Sequence, residues 1–168
     1  MTDLSGSATD RQGPTDVRFA LTTGRKADIP QGRVAVFSSD TRYNHNVINY
    51  GAGADLLVHE VASARPELMK EAYIQRIIGH HTTPREAGLV FAQTKPKLAA
   101  YTHIVLFGSE RIPPPTLDDI VTETRQTYDG PLAVGEDLMV FEIGEMVSVR
   151  QPQPSSSSKV AQVLHEPD

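Results

Sequence analysis

The chain has 168 residues, of which 39% are apolar and 22% are charged, and its formal net charge is -5 at pH 7. These values are typical of one globular domain, and the sequence has no run of eighteen apolar residues that would span a membrane. The acidic balance leaves nucleic acid an uncertain partner, because no basic cluster is found that would attract a phosphate backbone. The chain has no cysteine, so any metal site must use histidine and carboxylate ligands.

Both ends of the chain are poor in core-forming residues. Glycine, serine, threonine and aspartate dominate residues 1–16, and residues 151–168 are rich in serine and proline. We therefore predict a mobile N-terminal segment over residues 1–30, a folded unit over residues 31–150 and a disordered tail beyond it. The N-terminal segment does not resemble a secretory signal, which favours a cytoplasmic protein.

Predicted strands and helices alternate along the folded unit. Strands are predicted over residues 33–37, 55–58, 98–101 and 104–107, with an edge strand over residues 17–23 and a connection over residues 24–32. Helices are predicted over residues 46–50, 63–78, 84–93 and 116–128, followed by a hairpin over residues 138–143 and 146–149. The start of the third helix is marked by Thr83, Pro84 and Glu86, which form a capping-box pattern. This order of elements indicates an α/β fold.

Polar residues interrupt the apolar runs in four short segments, residues 38–41, 59–60, 80–83 and 102–103. Three of the segments directly follow buried strands, whose ends are expected to meet at one edge of a sheet. Aspartate, glutamate and histidine gathered there have the chemistry of a metal or proton-transfer site.

The carboxylates of these segments also have structural interpretations. Asp40 can ligate a cation, or it can accept backbone N–H groups in a turn. His59 and Glu60 follow one another at a strand end, so their side chains point in opposite directions and only one can face the first strand's end. Such a pair is commonly solvated.

The histidines leave similar alternatives open. One of His80 and His81 can lie in a cleft while the other lies in solvent. His103 interrupts an apolar run, so we expect its side chain to be buried. A buried imidazole without a partner costs about 1–3 kcal/mol, so His103 must either form a hydrogen bond in the core or ligate a metal.

The four segments resemble the C-terminal half of the metallo-β-lactamase fold, and in particular its ribonuclease Z-like branch. Residues 37–41 (FSSDT) are similar to the strand and Gly-Asp-Thr of that family, and residues 58–61 (VHEV) to its His-Glu-Ala-Thr. Residues 81–87 (HTTPREA) are similar to its His-Ser-Thr, and residues 101–103 (YTH) to its Leu-Thr-His. The resemblance covers about residues 33–143. It implies half of an αββα sandwich, mostly one sheet with helices on its outer face.

The resemblance implies roles for four residues. Asp40 would bridge two zinc ions, and His103 would ligate the second ion. Glu60 would orient His81, which would donate a proton to the leaving oxygen. The implied reaction is hydrolysis of a phosphodiester by a zinc-activated water, although RNA, other phosphodiesters, sulfate esters and lactones all stay open as substrates.

The sequence also departs from the family pattern. The family's H-x-H-x-D-H motif does not occur, although two zinc ions need roughly six donors with bridging. Ser39 replaces a glycine at a position where a tight loop favours a positive φ. We therefore expect a truncated member, inactive alone, that pairs with a complementing N-terminal half or with a second copy through an exposed apolar sheet face. The alternative is a noncatalytic fold remnant or interaction module that binds no metal.

Overall fold

The computed structural model describes residues 26–29 and 32–151. Its main sheet has five strands whose spatial order is that of the sequence: β1 (Lys26–Ile29), β2 (Arg33–Phe37), β3 (Leu56–Ala64), β4 (Leu98–Phe107) and β5 (Leu132–Val134). β1 is antiparallel to β2, whereas β2 to β5 are parallel to one another. The α/β class predicted from the sequence is confirmed. The edge strand predicted over residues 17–23 lies outside the described residues, as do the predicted terminal segments apart from β1 and residue 151.

Helical segments connect the parallel strands: α1 (His45–Gly51), a single 3₁₀ turn (Leu68–Lys70), α2 (Ala72–Ile78), α3 (Pro84–Thr94) and α4 (Leu117–Thr124). α3 begins at the predicted capping box, in which Thr83 Oγ1 accepts from Glu86 N and the Glu86 carboxylate accepts from Thr83 N. α4 begins with the same arrangement between Thr116 and Asp119. Across the described ranges, no helix has the length and apolar character needed to cross a bilayer.

The larger part of the core lies between the sheet and three helices. Its buried strand residues are Val36, Leu57, Val61, Ala99 and Tyr101, and its buried helix residues are Val47, Ala87, Val90, Phe91 and Ile120. Burying one valine, leucine, isoleucine or phenylalanine side chain stabilises the fold by about 1.5–3 kcal/mol. This layer therefore holds the central strands, and the loops that follow them, in fixed positions.

A hairpin covers part of the opposite face of the sheet. It consists of β6 (Val140–Ile143) and β7 (Val147–Arg150), close to the predicted strands. Ile143 packs with buried sheet residues that are at most 8% exposed, namely Ala35, Leu56, Val58, Leu98 and Ala100. The expectation of an exposed apolar sheet face is wrong for these positions, because the apolar side chains of the hairpin cover them. Farther along β3, Ala62 packs against the 3₁₀ turn and α2.

Several element boundaries differ from the prediction. Residues 63–78 do not form one helix, because residues 63 and 64 complete β3 and the rest divides between the 3₁₀ turn and α2. Pairing with β4 extends β3 beyond its predicted end, through Val61 and Ala62. β1 occupies part of the predicted connection over residues 24–32, and α4 ends at Thr124, four residues early. The short strand β5 was not predicted.

Candidate metal centre

The loop after β2 carries Asp40 into the candidate site. Ser38 joins this loop to β3, because Ser38 N donates to Val58 O at 3.0 Å and Ser38 Oγ accepts from Glu60 N at 3.1 Å. Ser39 has a φ of 56°, which confirms the expected left-handed backbone at this position. A residue other than glycine adopts that conformation at a cost of roughly 1–2 kcal/mol. The turn leaves the side chain of Asp40 exposed beside β4.

His103 lies in a β-bulge of β4. Glu60 pairs with Thr102 and Val61 pairs with Ile104, so His103 has no partner residue on β3. Its φ is 43°, and its Nε2 lies 3.1 Å from Asp40 Oδ1. Because the side chain is 49% exposed, the expectation that it is buried is wrong. The bulge directs the imidazole out of the strand and toward the loop that carries Asp40.

Glu60 is fully buried within β3, and its carboxylate has two hydrogen-bond partners. Oε1 accepts from Thr82 N at 2.7 Å, and Oε2 accepts from His81 Nδ1–H at 3.0 Å. Burial raises the pKa of Glu60, against the lowering effect of the hydrogen bonds from Thr82 and His81. The His81 side chain is 15% exposed, whereas His80 is exposed to solvent, as expected for this pair. The structure thus brings together the two residues for which the resemblance implied a proton relay.

His59 takes no part in this cluster. It lies in the middle of β3 and points to the helical layer, where its ring meets Phe91 edge-on with centroids 6.0 Å apart. Nδ1–H donates to Glu60 O at 2.7 Å, and Nε2 is buried without a hydrogen-bond partner among the described residues. Burial lowers the pKa of His59 to about 4. The expectation of a solvated His59–Glu60 pair is wrong, because β3 continues to Ala64 and encloses both side chains.

Thr82 is a site residue that was not predicted from the sequence. Its backbone N–H binds Glu60, and its Oγ1 donates to Thr41 O at 2.6 Å. These bonds connect the loop carrying His81 with the loop carrying Asp40. The only signal in the sequence was a second threonine before the capped helix, which is commonly a surface position.

Three side chains of the cluster form a candidate metal-binding set. Asp40, His81 and His103 each offer one ligand atom, and these atoms all lie within 4.8 Å of one another. Imidazole nitrogen and carboxylate oxygen are established zinc ligands, and catalytic zinc sites commonly keep three protein ligands and one open position. The donor chemistry of these residues therefore fits one divalent ion. The resemblance had implied a metal-binding role for Asp40 and His103 but not for His81.

Clefts open beside each of the three donors. The largest has a volume of about 640 Å³ and is lined by His103 together with apolar residues that include Phe37. A second, of about 370 Å³, is lined by His81 and Arg42, and a third, of about 300 Å³, by Asp40. The donor set is therefore accessible from the surface of the protein.

The chain is similar in sequence to two curated ribonucleases Z. It is 29% identical over 140 residues to ribonuclease Z of Haloferax volcanii, a match that covers 83% of this chain and 40% of that protein. It is 36% identical over 110 residues to ribonuclease Z of Haloarcula marismortui, a match that covers 64% of this chain and 32% of that protein. The matches thus span 32% to 40% of the length of these relatives. No family model matches the sequence.

Solved structures with a related arrangement include the metallo-β-lactamase fold protein YhfI from Bacillus subtilis. That likeness has a TM-score of 0.49 and 19% identity, and it covers 76% of this chain and 43% of YhfI. Human tRNase Z, short form, has a TM-score of 0.42 and 22% identity, with 67% of this chain and 34% of that chain covered. Since both scores are below 0.5, the relationship rests on the sequence matches. Over part of its length, the chain is therefore similar in sequence to ribonuclease Z, as its motifs indicated.

Proposed function

We propose that the chain contributes part of the active site of a zinc-dependent phosphodiester hydrolase of the ribonuclease Z type. In this proposal Asp40 and His103 hold metal, Glu60 orients His81, and His81 is the proton donor. The observation that carries the proposal is the contact of 3.0 Å between Glu60 Oε2 and His81 Nδ1 beside the Asp40–His103 pair. The similarity to two ribonucleases Z supports the choice of a phosphodiester as substrate.

The position of Glu60 defines how His81 would transfer a proton. Because Nδ1–H donates to the carboxylate, Nε2 is the nitrogen that can exchange a proton with a substrate. The acid form is the imidazolium ion, in which Nδ1–H keeps its bond to the Glu60 carboxylate. After Nε2 gives its proton to the leaving oxygen of the phosphodiester, His81 becomes the neutral Nδ1–H tautomer and keeps its bond to Glu60.

Asp40 and His103 would hold the metal from the other side of the cluster. When bound, zinc supplies a hydroxide-like water near neutral pH and charge stabilisation for the attacked phosphate. Ser38 holds the loop that carries Asp40 to β3, and Thr82 joins that loop and β3 to the segment that carries His81. His103 lies in β4 itself. The proposed reaction therefore depends on a rigid edge of the sheet rather than on the exposed side chains alone.

We further propose that the complete site needs donors beyond the described residues, from a complementing N-terminal half or from a second copy of this chain. The described residues provide three donors, whereas two zinc ions need roughly six with bridging. A complementing chain with an H-x-H-x-D-H segment would supply them, and the cleft lined by Phe37 and His103 offers apolar surface beside the site for it. A second copy of this chain is the other candidate partner. The small number of donors also favours a second candidate function, a noncatalytic interaction module that binds no metal.

Metal content and hydrolysis together test the proposal. The purified chain should take up zinc, and Asp40→Asn or His103→Asn should abolish uptake. Hydrolysis of bis(p-nitrophenyl) phosphate should be negligible for the chain alone, should appear when a complementing half is added, and should then be lost in His81→Gln but retained in His80→Gln. Light scattering would reveal a dimer. A chain with near-zero zinc would support the interaction module, and faster turnover of a sulfate ester or a lactone would exclude a phosphodiester as the preferred substrate.

A further inference from the structure

The three donors near β4 are arranged for a single ion rather than for a pair. Asp40 and His103 supply two protein ligands, and one stable catalytic-type site commonly has three. Among the described residues, the third donor within 4.8 Å of both is His81. We propose that this chain binds one divalent cation through Asp40, His81 and His103 together, so that His81 is a metal ligand until further donors are supplied. This inference rests on the metal site of the proposed function but gives His81 a different role.

The contact between His81 and Glu60 supports a ligand role. Nδ1–H donates to the Glu60 carboxylate, which leaves the lone pair of a neutral imidazole on Nε2. A histidine that ligates a metal through one nitrogen commonly donates its other N–H to a carboxylate, which sets the tautomer and strengthens the ligand. Glu60 is fully buried and is also held by Thr82 N, so the orientation of the imidazole is set before any ion binds.

The loops that carry the donors are tied together, but two of the donors can still adjust. Thr82 Oγ1 donates to Thr41 O, which keeps the segment with Asp40 close to the segment with His81. The side chains of Asp40 and His103 are 63% and 49% exposed, so changes of rotamer meet little steric resistance. Donors around a tetrahedral zinc ion at about 2.0–2.1 Å lie roughly 3.3 Å apart. Asp40 Oδ1 and His103 Nε2, 3.1 Å apart, are already close to this spacing, so binding would mainly require the donor of His81, within 4.8 Å of the other two, to come closer.

The ligand set selects the class of ion. Two imidazoles and one carboxylate suit zinc and divalent iron or cobalt, whereas magnesium and calcium favour sites built from oxygen alone. Occupied in this way, Nε2 of His81 has no proton to donate. A chain with one bound zinc ion would therefore lack the proton donor that the proposed hydrolysis needs. Metal binding and catalysis would then be separate properties of the chain.

Calorimetry with Zn²⁺ and visible absorption with Co²⁺ test the inference on the full chain. We expect one ion per chain and a loss of more than about 100-fold in affinity in Asp40→Asn, His81→Gln and His103→Asn, larger than the effect of altering an outer residue. Asparagine is chosen at position 103 because it tolerates the left-handed backbone there. Glu60→Gln should weaken binding by about 10–100-fold. His80→Gln is the matched control, since its side chain is exposed outside the donor set, and it should bind as the wild type does.

Three results would overturn the inference. If His81→Gln bound zinc with wild-type affinity while Asp40→Asn bound none, His81 would not be a ligand. That result would leave the proposed function standing. Two ions per chain would likewise contradict a single three-donor site and leave the proposed function intact. A wild-type chain that binds neither Zn²⁺ nor Co²⁺ would refute this inference and the proposed function together.

Discussion

Protonation of His59 should destabilise the folded chain. The side chain is fully buried in the helical layer, and its Nε2 has no hydrogen-bond acceptor among the described residues. Adding a proton there would place a positive charge against Phe91 without a partner. Burial accordingly lowers the pKa of His59 from its ordinary value of 6.5 to about 4 in the folded protein.

The direction and size of the effect follow from that shift. The imidazole of His59 binds a proton less tightly in the folded state than in the unfolded state. Above pH 6.5 His59 is neutral in both states, and its contribution to the free energy of unfolding is at its full value. This stabilisation is lost as the pH falls from 6.5 toward 4, and no further loss from His59 is expected below pH 4. A shift of about 2.5 pKa units, at 1.36 kcal/mol each, corresponds to about 3 kcal/mol.

Urea denaturation of the wild type and of His59→Asn between pH 7.5 and pH 3.5 measures this contribution. Asparagine keeps an N–H close to the position of Nδ1 and does not titrate in this range. The free energy of unfolding of the wild type should fall by about 3 kcal/mol more than that of the variant on going from pH 7 to pH 4. His80→Asn, at an exposed position, should follow the wild-type profile. Parallel profiles for wild type and His59→Asn would refute the reasoning.

Two further predictions concern packing beside the site. Gly135→Ala should lower the free energy of unfolding by about 1–3 kcal/mol, because an added Cβ would fall on the carbonyl oxygen of Tyr101. Gly144→Ala is the control, because its added Cβ would lie 3.5 Å from Met146 O, and its free energy of unfolding in urea should stay within about 0.5 kcal/mol of the wild type. Equal effects of the two substitutions would contradict the packing described. Tyr101→Phe should cost about 1 kcal/mol, because the buried hydroxyl lies 2.6 Å from Thr124 Oγ1. An unchanged denaturation midpoint for Tyr101→Phe would show that this hydrogen bond contributes nothing net.

The convergence of the polar segments could be predicted because it follows from strand order. Parallel strands run in one direction across a sheet, and the alternation of apolar and polar runs located the end of β2 and the order of the strands. The ends of β3 and β4 were not located, because these strands continue past Glu60 and His103 to Ala64 and Phe107. The capping box at Thr83 also marked the start of α3 correctly, since its hydrogen bonds are local in sequence. The polar segments therefore pointed to Asp40, Glu60, His81 and His103, which the structure brings close together.

The burial of His59 and the exposure of His103 could not be predicted in the same way. His59 was expected near solvent because β3 was ended too early, although Val61 and Ala62 extend the apolar run and pair with β4. His103 was expected in the core, but a bulge with a positive φ redirects it outward, and such a shift in register leaves no clear mark in the sequence. The place of His81 beside the other donors depends on the long-range bond from Thr82 to Thr41.

X-ray absorption at the zinc edge tests the central claim, a metal centre built from Asp40, His81 and His103, most directly. The zinc-loaded wild type should show two imidazole ligands and at least one oxygen ligand at about 2.0–2.1 Å. The spectrum of His81→Gln, at zinc concentrations high enough to load it, should show one imidazole, whereas that of His80→Gln should match the wild type. A wild-type spectrum with a single imidazole would contradict the three-donor centre, and one with oxygen ligands alone would also contradict metal binding by His103.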